Sequence, residues 1–279
     1  MYNLSEASNT SEYFERKFGE QQNKGFLLAL HHAIQNDELS LEYQPRYDSF
    51  TGHSTIFEAL VRWHRKDVGT VYPDEFIDKA IEHGLIFDLD LWVFKRCCSD
   101  LLRLRAEVDK NIKIALNISP LECESLHHTQ TLLSTCESYG QKMSDFEFEI
   151  TESTPINDVR KVKIFCNTVI ERGATISLND LGACFSPLNN LGETPISYIK
   201  IDRSFVKKIG YGGRSDILIK HLIKLAHEMN IKVVAGGIEH AYQRDHLIKM
   251  GCDLLQGFFM CNPLGQENLT SEHIDMCLV

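Results

Sequence analysis

The chain has 279 residues, 43% hydrophobic and 24% charged, with a formal net charge of −10. That is enough apolar material for one large α/β barrel or two ordinary domains, while the acidic balance opposes binding to a nucleic-acid polymer. Nine cysteines without a CxxC pair, no secretory start and no apolar run near the ~20 residues of a bilayer span point to a cytoplasmic protein without membrane insertion.

Residues 1–24 are polar and read as a loose N-terminal extension or linker stub, and residues 25–279 as a single domain. From there β-like runs alternate with helical ones. The strand candidates are "LSLEYQP" (39–45), "STIFEALVRW" (54–63), "IKIALNIS" (112–119), "FEFEIT" (146–151), "ATISLN" (174–179), "SYIKI" (197–201), "KVVAG" (232–236) and "LLQGF" (254–258). Helical periodicity marks 88–108, 160–173 and "SDILIKHLIKLAHEMN" (215–230), where Leu218, Leu222, Leu225 and Met229 form one apolar stripe.

Only "RYDSFTGH" (46–53) separates the first two strands. That is too short for a helical crossover, so the pair is predicted to be an antiparallel hairpin turned by Asp48 to Gly52. The expected fold class is therefore α/β, a (β/α)8 TIM-like barrel closed by an antiparallel first strand.

In such barrels chemistry sits where the parallel strands end, so polar residues there are informative. Almost every strand supplies one: Glu58, Asn117, Glu149 with Glu152, Asn179 with Asp180, Lys200 with Asp202, Glu239 and Gln256. "ISLND" by itself reads as a strand ending in a turn. Set among so many polar strand ends, it reads instead as part of a site. Unpaired buried carboxylates cost several kcal/mol. Clustered Glu, Asp and Asn oxygens suit Mg²⁺ or Mn²⁺, and a pair of such ions suits attack on a phosphodiester, with Lys200 stabilising charge or positioning water.

"YQP" (43–45), "FEALVRW" (57–63), "LNIS" (116–119), "FEITES" (148–153), "YIKIDRSFV" (198–206) and "GCDLLQGFFMCNPL" (251–264) together resemble the successive motifs of EAL domains, from about Phe26 to Leu264. The resemblance implies a barrel with a reversed first strand and, in active members, two-metal linearisation of cyclic di-GMP to pGpG. It implies Glu58, Asn117, Glu149 and Asp180 as metal ligands, with Glu149 and Lys200 in the catalytic machinery. Glu152 would anchor a loop. Gln44, Arg62, Pro73, Phe76, Asp180, Glu239 and Gln256 would line the dinucleotide site.

Three departures qualify it. Active members carry Asp-Asp where this chain has Asn179-Asp180, and a Glu where it has Gly236 in "AGGIE" (235–239). The loop after the fifth strand candidate reads "DLGACFSP" (180–187). An amide supplies no bridging charge and glycine supplies no ligand. The expectation is a degenerate EAL domain in bacterial second-messenger signalling: a nucleotide-binding cyclic di-GMP receptor with at most one weakly held Mg²⁺ or Mn²⁺. The alternatives are a protein-interaction regulator that ignores the nucleotide and a weakly active phosphodiesterase. A protein partner and a homodimer are both compatible with the sequence.

Overall fold

The computed structural model describes residues 25–36, 38–151, 155–181, 195–210 and 212–275, the side chains of Asp180 and Leu181 excepted. Glu152 and most of the "DLGACFSP" segment lie outside the described residues. The chain divides into two compact units, one running to Ser40 and resuming over Val61–Trp92, the other comprising Leu41–Leu60 and Val93 onward. From the sequence 25–279 is expected to be one domain; the division arises because the residues around Trp63 make a local apolar cluster of their own.

The larger unit is a closed barrel. Its strands are β1 (Leu39–Asp48), β2 (Ser54–Arg65), β4 (Lys113–Ile118), β5 (Phe146–Ile150), β6 (Thr175–Leu181), β7 (Tyr198–Ile201), β8 (Lys232–Ala235) and β9 (Leu254–Leu255), β3 (Gly69–Val71) belonging to the other unit. They follow the order β1-β9-β8-β7-β6-β5-β4-β2, and a β1–β2 pairing closes the ring. β1 runs antiparallel to β9, whereas β2 to β9 pair in parallel around the ring. The short β10 (Leu264–Gly265) adds to β1. All eight strand candidates form the barrel as expected, with the first strand reversed.

β5 shows why these segments fold so. Phe146 and Phe148 point outward, packing on Phe94 at 4.9 and 6.1 Å, and Phe148 meets Phe165 edge-on at 5.6 Å. Glu147 and Glu149, on the alternate phase, point into the barrel, as a two-residue period requires. In the outer helix Arg214–Glu228 the structure corrects the expected core stripe. Ile219, Ile223 and Ala226 are buried, while Leu218 and Leu225 are about half exposed. The helix carries two adjacent apolar ridges, and the one with β-branched residues faces the sheet. Cys97, Cys98, Cys123, Cys136, Cys166 and Cys252 are buried.

The β1–β2 turn forms at the expected place. Asp48 Oδ1 accepts from the amides of Phe50 and Thr51 at 3.0 and 2.8 Å, and Gly52 takes a φ of 72° that glycine adopts without strain. Burial works against the Asp48 charge, but these hydrogen bonds hold its carboxyl below the usual carboxylate range. Asp48→Ala is expected to cost about 1–2 kcal/mol in urea unfolding at neutral pH. A group with a depressed folded pKa stabilises above its unfolded pKa and loses that contribution as pH falls through the folded value, so the penalty should vanish in acid. An unchanged penalty in acid would assign it to the backbone instead.

The smaller unit is built on Trp63, which is fully buried and meets Phe26 at 5.2 Å and Phe76 at 5.9 Å, both edge-on. The end of β2 pairs with β3 through Trp63 and Val71. Helix Pro73–Glu82 starts on proline, whose fixed φ suits a first helical turn.

Candidate functional site

The inner face of the barrel is polar and deeply buried. Glu58 comes from β2, Asn117 from β4, Glu147 and Glu149 from β5, Asn179 from β6, Lys200 from β7, Gln44 and Arg46 from β1, and Gln256 from just past β9. Glu149 has no exposed surface, Arg46 is 1% exposed and Gln256 2%.

These side chains form one connected network. Lys200 Nζ donates to Glu58 Oε2 at 2.7 Å and to Glu149 Oε2 at 3.2 Å. Arg46 Nη1 donates to Glu147 Oε1 at 2.7 Å, and its Nη2 binds Glu149 Oε1 and stands 3.7 Å from Glu58 Oε2. Asn117 Nδ2 donates to Glu58 Oε1 at 3.2 Å, and Asn179 Nδ2 to Asn117 Oδ1 at 3.1 Å. Gln256 Nε2 donates to Glu58 Oε2 at 2.7 Å and to Gln44 Oε1 at 3.1 Å, and Gln44 Nε2 to the carbonyl of Cys261 at 2.9 Å.

The charges hold one another in place. Burial works against ionised Glu58, yet Lys200 and then Arg46 keep its carboxyl down at about 2. Burial likewise works against the cations, but Glu149 leads the carboxylates that raise both Arg46 and Lys200. Burial raises Glu147, against the pull of the nearby Arg46 guanidinium.

Local backbone features set this geometry. β6 pairs Leu178 with Ile199 and Leu181 with Ile201, so Asn179 and Asp180 contain one extra residue. The sequence pattern ends that strand at Asn179 in a turn. Instead the strand continues to Leu181 through a bulge, a device that re-aims side chains and recurs near functional sites. Gln256 is held by backbone bonds from its amide to Ala235 O at 2.9 Å and from the Ile238 amide to its carbonyl at 3.1 Å. Gly257 follows because any Cβ there would collide with the backbone of Ile238.

Other expected residues lie elsewhere. Glu239 is exposed, its side chain 3.7 Å from Lys207 Nζ, so it does not fill the space left by Gly236. A Cβ on Gly236 would meet Lys200 Cε at 3.3 Å, which places this residue beside the network but leaves it without a side chain to contribute. In the smaller unit Phe76 is fully buried and packs edge-on against Trp63. Pro73 is part-exposed at a helix start. Arg62 donates to Val61 O at 2.9 Å and lies 5.2 Å over the Tyr72 ring. Asp180 lies one residue before the end of β6, but its side chain is not among those described, and Asp202 caps the short helix Arg203–Val206 through the Ser204 amide at 2.9 Å.

Arg46 and Glu147 escape a search confined to strand ends. Each stands two residues from a recognised site residue, Gln44 and Glu149, and so shares its face of the strand. A charged residue on the inward phase of an otherwise apolar strand is the signal that would have found them.

The donor set also tests the metal pair that the motifs imply. Both oxygens of Glu58 and of Glu149 already accept from protein donors, and Asn117 Oδ1 accepts from Asn179. Among the described residues of the network, two neutral oxygens are buried without a hydrogen-bond partner, Asn179 Oδ1 and Gln256 Oε1. No group of three or more His, Cys, Asp or Glu arranged to hold a metal occurs among the described residues. The network does not fit two divalent ions.

A closed α/β barrel with a reversed first strand and a polar network at its strand ends defines the class of protein. The EAL domain model matches residues 28–263, and the chain belongs to that family. It is 32% identical over 240 residues to the signaling protein YkoW of Bacillus subtilis, covering 86% of this chain and 30% of YkoW. It is 29% identical over 258 residues to the cyclic di-GMP phosphodiesterase NbdA of Pseudomonas aeruginosa, covering 92% and 33%. Among solved structures, the PaMucR phosphodiesterase in complex with c-di-GMP superposes with a TM-score of 0.81 at 29% identity, covering 86% of this chain and 98% of that one. The chain spans about a third of the length of these curated relatives. Among the described residues no helix is long and apolar enough to cross a membrane.

Proposed function

We propose that this chain is a degenerate EAL domain that binds cyclic di-GMP without hydrolysing it, and that it acts as a cytoplasmic receptor or regulatory module. One observation carries the reading. Where catalysis on a metal pair requires a bridging carboxylate, Asn179 presents a neutral amide, and the carboxylates around it are already neutralised by Lys200 and Arg46. Gly236 removes a second acidic group. Losing both contributions, each worth of the order of 10²–10⁴-fold, leaves turnover near background.

Support for nucleotide binding comes from the polar groups that remain. Gln44 and Gln256 keep an amide pair at 3.1 Å at the edge of the network, and PaMucR holds c-di-GMP on the same fold. Divalent ions contribute one weak site or none. Isothermal titration of the full chain with cyclic di-GMP is expected to give saturable binding at micromolar or tighter affinity. Gln44→Ala or Gln256→Ala should weaken it by about tenfold or more, since each removes a hydrogen-bonding group suited to a polar ligand. Absence of heat at high protein concentration would sink the receptor reading.

A second reading, a protein-interaction regulator that does not use the pocket, draws on the exposed Ile217, Leu218 and Leu225 of helix Arg214–Glu228. It is the reading left standing if the titration fails.

A further inference from the structure

The most unusual feature of the barrel interior is a guanidinium where the carboxylates converge. Arg46 is enclosed, its side chain fully out of solvent, and its two terminal nitrogens reach Glu147, Glu149 and Glu58. On the other side of Glu58 and Glu149 stands Lys200, also donating to both. The two carboxylates are thus clamped between two fixed cations. Buried ions of this kind persist only when each has a partner, because an uncompensated charge in the interior costs several kcal/mol.

We propose that Arg46 and Lys200 are the resident cations of this pocket: they occupy the oxygens of Glu58 and Glu149 that divalent ions would need, so these two carboxylates are paired and the pocket is assembled without metal. The inference deepens the receptor reading by making the folded pocket independent of divalent ions. Arg46 acts as a positioning residue. It fixes Glu149 and, with Lys200 and Gln256, orients Glu58, which also accepts from Asn117 and through it sets Asn179. A divalent ion of two charges enters this network when one of the fixed cations leaves or when further carboxylates are added to it.

Thermal unfolding and calorimetric titration of the full chain with Mn²⁺ alone test this. The parent chain is expected to show no saturable heat and the same melting temperature in Mn²⁺ and in chelator. Arg46→Gln in chelator is expected to melt about 10 °C lower, because it leaves buried carboxylates uncompensated. Added Mn²⁺ should recover most of that loss and bind saturably. Arg46→Lys, which keeps the charge, should remain indifferent to Mn²⁺. Saturable Mn²⁺ binding by the parent chain with the affinity of Arg46→Gln overturns the proposal, and so does a folded Arg46→Gln that does not respond to Mn²⁺. Should Arg46→Gln fail to fold in any condition, Lys200→Gln, which removes the cation from the other side of the same carboxylates, carries the same expectation. No arm uses nucleotide, so a failed cyclic di-GMP titration and a failed Mn²⁺ response are separate results.

Discussion

The double variant Asn179→Asp, Gly236→Glu, supplied with excess Mn²⁺, is expected to linearise cyclic di-GMP at least about a hundred-fold faster than the parent chain, whose product should stay at background. Three features of the site underlie this. Asn179 now donates to Asn117 Oδ1 at 3.1 Å, a bond an ionised aspartate cannot make, so the substitution frees the Asn117 oxygen as well as adding a charge. The bulge between Leu178 and Leu181 already aims position 179 at the network. At position 236 the nearest atom to a new Cβ is Lys200 Cε at 3.3 Å, the end of a flexible side chain that can give way. Two added carboxylates also shift the local balance toward cation entry against Arg46 and Lys200. Product chromatography decides the matter. Equal turnover by parent and variant would refute the assignment of degeneracy, and an inactive but folded variant would show that damage to the site extends beyond these two positions.

The second large effect concerns stability. Glu149→Ala is expected to cost about 3–5 kcal/mol, a sizeable fraction of the roughly 5–15 kcal/mol that holds a typical domain together. Glu149 is the shared anion of both cations, and its removal leaves Arg46 bound to Glu147 and 3.7 Å from Glu58, with Lys200 on Glu58 alone. Urea unfolding followed by tryptophan fluorescence measures the loss, and a cost below about 1 kcal/mol would mean that the network is dispensable. The same cluster sets an acid limit. Glu58, held at about 2 from an ordinary value of 4.5, stabilises the fold above its unfolded pKa, and that contribution is lost as pH falls from about 4.5 toward 2.

Most of the architecture was legible because strand and helix periods are local properties. "FEFEI" announces a strand by its two-residue alternation, and "RYDSFTGH" is too short for a crossover, which alone reverses the first strand. The linked motifs from "YQP" to "CNPL" placed Glu58, Asn117, Glu149, Lys200, Gln44 and Gln256 in one family pattern, and the structure brings these six into one hydrogen-bonded network. The family itself stood in those letters, as did the changed ones, Asn179 and Gly236.

Whatever depended on side-chain direction or on partners far apart in the chain was decided by the tertiary structure. Arg46 lies 101 residues from Glu147 and 103 from Glu149, so no local pattern couples them, and only closure of the barrel turns an arginine on a reversed strand into their counter-ion. Glu239 reads like a spare ligand beside Gly236 yet points to Lys207, because the chain has left its strand and no longer alternates into the barrel. Phe76 has the family's aromatic side chain but spends it on Trp63, whose burial only the folded unit reveals. Leu218 and Leu225 make a convincing helical stripe, but Ile219 and Ile223 won the sheet face, since two neighbouring ridges satisfy the same period and only packing chooses between them. The sequence determined which chemical groups are present and which of the family's are missing; the fold determined which charges meet, because a buried charge is stable only beside the partner that the closed barrel delivers.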